Sequence, residues 1–382
     1  MGFDFHSTRS ILVERGGAKK LAKMIADRGG KSALIVTDPG VLSAGLLDKV
    51  IPQFTEMGLQ LRIFSDVQAD PPVSVIDDAV KVAQDSKVDY IVGFGGGSSM
   101  DVAKLVALLA SGKEKLADVY GVGFAKGPRL PLILVPTTAG TGSEVTSISI
   151  VTVSESEKKG VVSPQLLPDV ALLDAELTLG LPSHVTAATG IDAMVHAIEA
   201  FTTKRLKNPV SDCLAKEALR LLAGHLHRVV NVCNDIEARE NMLLGACLAG
   251  MAFNNAPVAG VHALAYPIGA RFHVPHGLSN SLMLGPVMRF NLEAAHAMYA
   301  ELGQIIKPGL QGSTLEQATQ LVDYLGSLAG VLGLPQRLNE VGITAQDVDQ
   351  LASDAMLQTR LLQNSPREIG LKDAADLYRE AL

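Results

Sequence analysis

Up to about residue 180, short apolar runs alternate with stretches whose apolar residues recur with helical spacing. The runs are continuous rather than alternating, which is typical of parallel strands buried on both faces. Strands are predicted at 32–37, 60–64, 90–94, 130–135 and 170–173. Helices are predicted between them at 18–28, 46–57, 73–86 and 100–111. Strands that alternate with helices predict βαβ units and an α/β domain with a parallel, Rossmann-like sheet.

Beyond Pro182 the strand pattern ends, and apolar residues recur at i, i+3 and i+4 as they do on one face of a helix. Helices are predicted at 185–202, 209–231, 236–253, 292–306, 315–332 and 345–361. We therefore expect two domains of different class, an α/β domain at 1–181 and an all-helical domain at 182–382.

A segment without charged residues, 241–270, is long enough to suggest a membrane span. Its apolar part, 242–253, ends at Asn254 and is about 12 residues long, short of the roughly 20 that a span requires. We interpret it as a buried helix and expect no membrane partner. The N-terminal segment carries Asp4 and Glu14 and lacks the apolar core of a signal peptide.

Composition excludes several classes of protein. The 382 residues are 47% hydrophobic and 19% charged, the opposite of the balance found in disordered chains. Three cysteines cannot staple a chain of this length, and their scarcity favours a cytoplasmic protein. A net charge of −7 and the absence of Trp argue against nucleic-acid binding, which uses basic faces and stacking aromatics.

A glycine-rich segment, Gly95-Gly96-Gly97-Ser98-Ser99, follows one predicted strand and opens a helix. Glycines let a backbone approach a phosphate, and a helix start offers free N–H groups and a positive dipole end. The alternative is a tight turn between strand and helix, with Ser98 and Asp101 forming a capping box. This loop alone supports both interpretations.

A second loop, 136–144, follows the strand 130–135 and is rich in small and hydroxylated residues. Ligands of open α/β sheets bind at the carboxyl ends of strands, so two such loops favour a cofactor site. Asp38 ends another strand; a carboxylate there holds a ribose 2′-hydroxyl and favours NAD over NADP. Asp38 equally begins a turn with Pro39 and Gly40, and the sequence leaves both roles open.

The helical half carries a candidate metal site. Asp192 and His196 share one helix face at i and i+4, with Glu199 placed to orient a ligand. His262 and His276 follow on a segment rich in Gly and Pro, with His273 between them. One carboxylate and three imidazoles with an open position suit Fe²⁺ or Zn²⁺. The alternative is that each histidine is an ordinary hydrogen-bonded core residue.

Four motifs, in this order, resemble the iron-containing (group III) alcohol dehydrogenase family of the dehydroquinate synthase-like superfamily. They are GGGSSMD at 95–101, PTTAGTGSE at 136–144, GIDAMVHAIEAF at 190–201 and GVHALAYPIGARFHVPHG at 260–277. The resemblance covers both predicted domains. It implies a dinucleotide-binding domain, a helical metal-binding domain, an active site in the cleft between them, and a homodimer or larger homo-oligomer.

The resemblance also implies roles for individual residues. It implies metal ligands at Asp192, His196, His262 and His276. It implies NAD contacts at Asp38, Gly95, Gly96, Gly97, Ser98, Ser99, Thr137, Thr138, Thr141, Thr146 and Lys158. The adjacent Lys159 leaves open which of the two lysines takes the position near the ribose. Asp70 stands where many members have Asn.

One position departs from the family pattern. Many members have a histidine assigned to a proton relay four residues after the third ligand, where this chain has Tyr266. Tyrosine is a poorer acid or base near neutral pH than histidine. We therefore expect proton transfer to involve Tyr266 less than His273, the ribose hydroxyls or water.

The implied function is hydride transfer between a small alcohol or aldehyde and NAD(H), with a divalent metal as Lewis acid on the substrate oxygen. Three alternatives remain. A hydroxyacid–oxoacid transhydrogenase would retain its nicotinamide cofactor and turn over without free NAD. A lyase of the dehydroquinate synthase type needs basic residues for its substrate, and only Arg271 lies near the histidines in sequence. A non-enzymatic nucleotide-binding assembly subunit accounts for the glycine loops but not for the four ligand positions.

Overall fold

The computed structural model describes residues 2–154 and 158–382. The chain divides into two compact units, His6–Gly180 and Leu181–Leu382, and the N-terminal residues up to Phe5 belong to the second. Each unit is described by itself below.

The first unit is built on a parallel sheet with the strand order β1-β9-β6-β4-β2-β3, and a smaller sheet has the order β5-β8-β7. The strands are β1 (Ile11–Val13), β2 (Ser32–Val36), β3 (Gln60–Phe64), β4 (Tyr90–Gly95), β5 (Gly121–Val122), β6 (Leu132–Pro136), β7 (Ile148–Thr152), β8 (Lys158–Val162) and β9 (Val170–Leu173). The helices are α1 (Leu21–Asp27), α2 (Pro39–Ser43), α3 (Ile51–Glu56), α4 (Val73–Asp85), α5 (Gly97–Leu109) and α6 (Leu116–Val119). The predicted parallel α/β architecture is confirmed.

Side chains alternate across the sheet and create a core on each face. Leu34 and Val36 of β2 pack into one apolar layer with α4 and α5. Ala33 and Ile35 of the same strand pack into the other layer with α1 and α3. Because both faces are covered by helices, the central strands are continuously apolar, which is why the sequence pattern predicts them well.

The segment between β2 and β3 differs from the prediction of one helix at 46–57. The chain forms two short helices instead, α2 and α3. The Asp38 side chain accepts a hydrogen bond from Val41 N and starts α2, with Pro39 in the first turn. Pro52 likewise begins α3 near Ile51, because proline is tolerated in the first turn, where its missing N–H costs nothing.

The second unit consists of helices joined by loops, with no strand among its described residues. Its helices are α7 (Ser183–Thr202), α8 (Pro209–Asn231), α9 (Ile236–Asn255), α10 (Gly260–Phe272), α11 (His276–Ile306), α12 (Thr314–Val331), α13 (Val348–Ala355), α14 (Thr359–Leu362) and α15 (Leu371–Ala381). In the described chain no single helix is long and apolar enough to cross a membrane. Helices α9 and α10 pass that test only as a pair, and they are bent by 106°.

The Gly- and Pro-rich segment that carries His262 and His276 is mostly helical, although its glycines and prolines would favour a loop. Pro267 lies inside α10 and Pro286 inside α11. Both helices are largely buried, and packing offsets the backbone hydrogen bond that each proline removes. Gly277 lets α11 begin against α7, since a Cβ there would lie 2.5 Å from the carbonyl oxygen of Ala188.

Candidate metal centre and cofactor-binding loops

Three helices bring the four predicted metal ligands together. Asp192 and His196 project from one face of α7, His262 lies in the first turn of α10, and His276 is the first residue of α11. One potential ligand atom from each residue lies within 4.8 Å of the others. The close approach of α11 to α7 at Gly277 is what places His276 beside the α7 pair.

One carboxylate oxygen faces the three imidazoles. Asp192 Oδ1 lies 4.0 Å from His196 Nε2, 3.9 Å from His262 Nε2 and 3.6 Å from His276 Nε2. Two ligand atoms bound to one tetrahedral ion at about 2.1 Å lie roughly 3.4 Å apart. The Asp192 oxygen and the imidazole nitrogens need to move only slightly closer to one another to reach that spacing. The donor chemistry and the convergence both fit a divalent ion such as Fe²⁺ or Zn²⁺.

The charge of this cluster is set by its partners. Burial alone would raise the pKa of the Asp192 carboxyl, but the neighbouring imidazoles and an Asn280 hydrogen bond hold that pKa below its usual range. Asp192 is therefore ionised, as a metal ligand must be.

Glu199 fixes the orientation of His262. The Glu199 Oε2 atom accepts a hydrogen bond of 2.7 Å from His262 Nδ1 and one of 2.9 Å from Ala259 N. Its Oε1 atom accepts from Val261 N at 2.7 Å. Because an ionised carboxylate only accepts, Nδ1 carries the proton and the Nε2 lone pair faces the cluster.

The cluster has an apolar wall. The Phe253 ring stacks on the His196 ring with a centroid distance of 4.4 Å, and the His262 ring stacks on the same imidazole at 4.7 Å. Phe253 is 9% exposed, and Val261 is buried beside His262. These contacts exclude water from one side of the ligands and hold the imidazole of His196 in place.

The glycine-rich loop in the first unit leads from β4 into α5. Helix α5 begins at Gly97, and its N-cap is Gly96, which offers no side-chain hydrogen bond. The capping box predicted for Ser98 and Asp101 is therefore wrong, and the first N–H groups of α5 stay available to an anion. Asp101 instead accepts hydrogen bonds from Ser143 Oγ and Ile150 N.

The space beside Gly96 is open. A Cβ at that position would meet only Thr138, with its nearest atom at 3.8 Å. Gly93, three residues earlier in β4, has no such room, because atoms of Leu134 and Ala103 lie within 2.7 Å of the place that a Cβ would take. The backbone is therefore tightly packed at Gly93, where α5 contacts β4, and has open space at Gly96. We call this open space beside Gly96 the cradle.

Asp38 lies at the same loop. Its Oδ2 atom accepts a hydrogen bond of 2.9 Å from Ser99 Oγ, while Oδ1 caps α2. Asp38 therefore begins the turn into α2, as one of its two predicted roles required, and its carboxylate at the same time contacts the glycine loop. A ribose contact by Asp38 stays a prediction.

Both halves of the chain match models of one family. Residues 8–175 match the model described as iron-containing alcohol dehydrogenase, and residues 186–382 match that of the Fe-containing alcohol dehydrogenase family, C-terminal. The chain belongs to the iron-containing alcohol dehydrogenase family. It is therefore an enzyme, an NAD-dependent alcohol dehydrogenase of the iron-containing type.

Individual relatives within this family agree over nearly the whole chain. Long-chain-alcohol dehydrogenase 1 of Geobacillus thermodenitrificans is 39% identical over 96% of this chain and 93% of its own length. The NAD-dependent methanol dehydrogenase of Bacillus methanolicus is 35% identical over 99% of this chain and 100% of its own. The crystal structure of a 1,3-propanediol oxidoreductase superposes with a TM-score of 0.96 at 34% identity, covering 100% of both chains.

The threonines that the family resemblance singles out lie around the glycine loop. Thr137 N donates to Gly95 O at 2.9 Å, which joins the two loops. Thr141 packs against Gly97, and Thr138 lines the open space beside Gly96. Thr146 lies at the end of a short 3-10 turn at Ser143–Val145.

A buried lysine that sequence reasoning missed connects these elements. Lys104 is fully buried, and its Nζ donates to Thr146 Oγ1 at 3.0 Å, Ile148 O at 2.8 Å and Asp101 Oδ1 at 3.4 Å. Burial lowers the pKa of Lys104, and the acidic neighbours oppose that shift. The helical spacing of Asp101 and Lys104 was visible in the sequence, but nothing there marked the lysine as buried.

The two candidate lysines on β8 have different surroundings. Lys158 is 12% exposed, and its Nζ lies 2.6 Å from Asp70 Oδ1. Lys159 is exposed, with its Nζ 5.7 Å from the centre of the Tyr120 ring. Asp70, which replaces an asparagine common in the iron-containing family, thus binds the lysine that the resemblance assigns to the ribose.

The two candidate proton-transfer residues are placed differently. The Tyr266 ring lies beside the cluster, 5.8 Å from the His276 ring and 6.5 Å from that of His262. His273 is exposed at the C-cap of α10, with a left-handed φ of 54°. Within the described residues no contact joins His273 to the four ligands, so its catalytic role stays a prediction.

Proposed function

We propose that this enzyme oxidises small, uncharged alcohols and reduces the corresponding aldehydes, using NAD(H) and a divalent ion, Fe²⁺ or Zn²⁺. The observation that carries the proposal is the convergence of Asp192, His196, His262 and His276 within 4.8 Å. Such a constellation is not needed by a nucleotide-binding subunit without activity. A divalent ion held there supplies Lewis acidity toward a substrate oxygen.

The residues of this chain supply binding and alignment. The free N–H groups at the start of α5 bind a pyrophosphate, and the open space beside Gly96 accommodates it. Asp38 accepts a hydrogen bond from a ribose hydroxyl and disfavours a 2′-phosphate by charge repulsion. Nicotinamide supplies the hydride acceptor, and the protein determines the substrate that reaches it.

The metal-site surroundings support an uncharged substrate. Phe253 covers His196, and Val258 and Val261 are buried nearby in the chain. An apolar wall penalises a charged substrate group, because such a group loses hydration without gaining a partner. Relatives named for long-chain alcohols and for methanol support an uncharged alcohol as substrate, and they do not favour one chain length.

We also infer that the enzyme acts in the cytoplasm as a homodimer or larger homo-oligomer, without nucleic-acid or membrane partners. Its acidic composition and its small number of cysteines, three in 382 residues, support this setting. Analytical ultracentrifugation of the purified protein tests the oligomeric state.

The test of function combines metal analysis with an NAD(H)-linked screen of short alcohols and aldehydes. We expect the metal-stripped enzyme to be inactive and Fe²⁺ or Zn²⁺ to restore turnover. His262→Ala and His276→Ala should lose metal and activity together, whereas His227→Ala, at an exposed position on α8, should keep both. A metal-free variant with full activity would refute the assignment, and turnover without free NAD would identify a transhydrogenase.

A further inference from the structure

A fifth polar residue lies inside the candidate metal centre. Asn280 is fully buried on the first turns of α11, four residues after His276. Its Nδ2 atom lies 2.6 Å from Asp192 Oδ1, 3.3 Å from His262 Nε2 and 3.2 Å from His276 Nε2. Three of the four candidate ligand atoms therefore surround one amide nitrogen.

The hydrogen-bonding roles at this nitrogen follow from Glu199. Because His262 Nδ1 carries a proton and donates it in a hydrogen bond to Glu199, the Nε2 atom of a neutral His262 ring is an acceptor. The Asn280 amide group has two protons to donate, and the ionised Asp192 oxygen is the strongest and nearest acceptor that it faces. The shortest of the three contacts is accordingly the one to Asp192.

The bond to Asp192 restrains the carboxylate that matters most for coordination. The Asp192 oxygen held by Asn280 is the same Oδ1 atom that faces the three imidazoles. A free carboxylate rotates and can offer an ion one oxygen or two. A carboxylate whose orientation is fixed offers a defined number of oxygen ligands. The number of ligands is one of the properties that determine which ion a site retains.

We propose that Asn280 is a positioning residue of the metal centre, whose amide fixes the Asp192 carboxylate and thereby sets the affinity and the coordination of the bound ion. This inference rests on the metal site of the proposed function. Residues that orient ligands in this way typically change metal affinity 10–100-fold when they are removed.

The experiment is a titration of metal-stripped enzyme with Co²⁺, whose visible absorption reports the number and arrangement of its ligands. We expect Asn280→Ala to bind Co²⁺ about 10–100-fold more weakly than the natural protein and to show an altered absorption band. We expect Asn280→Asp, which keeps the shape but loses the donor, to show an altered band as well.

Asn291→Ala is the matched control. Asn291 lies on the same helix, is 3% exposed, and uses its amide oxygen to accept a hydrogen bond from Arg367 N. Its removal measures the general effect of losing a buried amide from α11. Thermal unfolding of the metal-free variants then shows whether Asn280→Ala loses more stability than this control.

Two results would overturn the proposal. Asn280→Ala with natural Co²⁺ affinity and an unchanged band would show that the amide does not position Asp192. Asn280→Asp with the natural band would make Asn280 a direct oxygen ligand instead. The titration needs neither NAD nor alcohol, so it can succeed even if the proposed reaction fails, whereas no Co²⁺ uptake by the natural protein would refute the metal centre itself.

Discussion

The Glu199 carboxylate holds the His262 imidazole by a hydrogen bond of 2.7 Å to Nδ1, and both side chains are buried. Glu199 lies on α7 with Asp192 and His196, so one helix supplies two candidate ligands and the residue that orients a third. Carboxylate–histidine pairs of this kind fix the tautomer of a ligand and raise its basicity.

Replacing Glu199 by Gln should weaken metal binding. All three partners of the carboxylate are N–H groups, so a carboxamide would turn its own NH₂ toward at least one donor. We expect the dissociation constant for Zn²⁺ to rise about 10–100-fold, measured by competition with a chelator. Glu301→Gln, which removes a carboxylate that is 52% exposed and pairs with Lys216, should leave it unchanged. Equal affinity in both variants would contradict a ligand-orienting role for Glu199.

The cradle at the glycine loop gives a second prediction. Gly96 has a φ of −76° and open space at its Cβ position, so Gly96→Ala should fold normally. We expect the added methyl to occupy the space of the pyrophosphate and to raise the dissociation constant for NADH at least tenfold, or about 1.4 kcal/mol. Fluorescence titration measures this, and thermal unfolding checks that stability is retained.

Alanine substitutions at two other glycines serve as controls for the Gly96→Ala variant. Gly95 has a φ of +153°, and a Cβ there would lie 2.7 Å from Ser99 Oγ and 2.9 Å from Asp38 Oδ2. Gly95→Ala should therefore lose both stability and NADH affinity. Gly224→Ala, at an open helical position, should lose neither. Natural NADH affinity in Gly96→Ala would show that the cofactor does not use this loop.

The central strands of the sheet and the four metal ligands could be predicted from the sequence, because each is marked by a pattern of residues close together in the chain. The continuous apolar runs indicated the central strands, and the i, i+4 spacing of Asp192 and His196 put both on one face of α7. The small sheet of β5, β7 and β8 was missed, because β5 has only two residues and β7 and β8 lack continuous apolar character.

The surroundings of the ligands were harder to foresee. Pro267 and the flanking glycines suggested a loop, whereas packing keeps α10 and α11 helical around them. Asn280 and Lys104 owe their roles to burial and to partners distant in sequence, which no spacing reveals. Glu199 was foreseen as an orienting residue because it shares the ligand face of one helix, although its partner could not be read from the chain.

Proton transfer gives a third prediction, which compares His273 with Tyr266. Imidazole is the side chain that ordinarily exchanges protons near neutral pH, and phenol is not. We expect His273→Asn to lower kcat roughly a hundredfold and to change the pH–rate profile. Asparagine suits this position because it tolerates the left-handed backbone, with φ of 54°, better than alanine does.

Tyr266→Phe is the comparison for that experiment. Its ring contacts with His262 and His276 persist without the hydroxyl, so we expect the shape of the pH–rate profile to stay as it is. An unchanged profile in His273→Asn would exclude a proton route through His273. A flattened profile in Tyr266→Phe would assign the proton to the residue that replaces the usual histidine.

The last prediction concerns Glu144, which is 1% exposed in the second loop. Burial raises the pKa of its carboxyl from 4.5 to about 7, against the opposing effects of its own backbone N–H and of the Lys104 charge. Between these two pH values the folded state keeps a proton that the unfolded chain releases. The free energy of unfolding therefore falls as pH rises through this range, by about 3 kcal/mol for a shift of this size.

Glu144→Gln removes that proton exchange and leaves the shape of the side chain. We expect the free energy of unfolding of the variant, relative to the natural protein, to increase by about 3 kcal/mol between pH 4.5 and pH 8, measured by urea denaturation. Glu56→Gln, at an exposed position on α3, should show no such trend. If the stabilities of Glu144→Gln and the natural protein run parallel with pH, the charge of the buried Lys104 is enough to keep Glu144 ionised throughout, and burial does not raise its pKa.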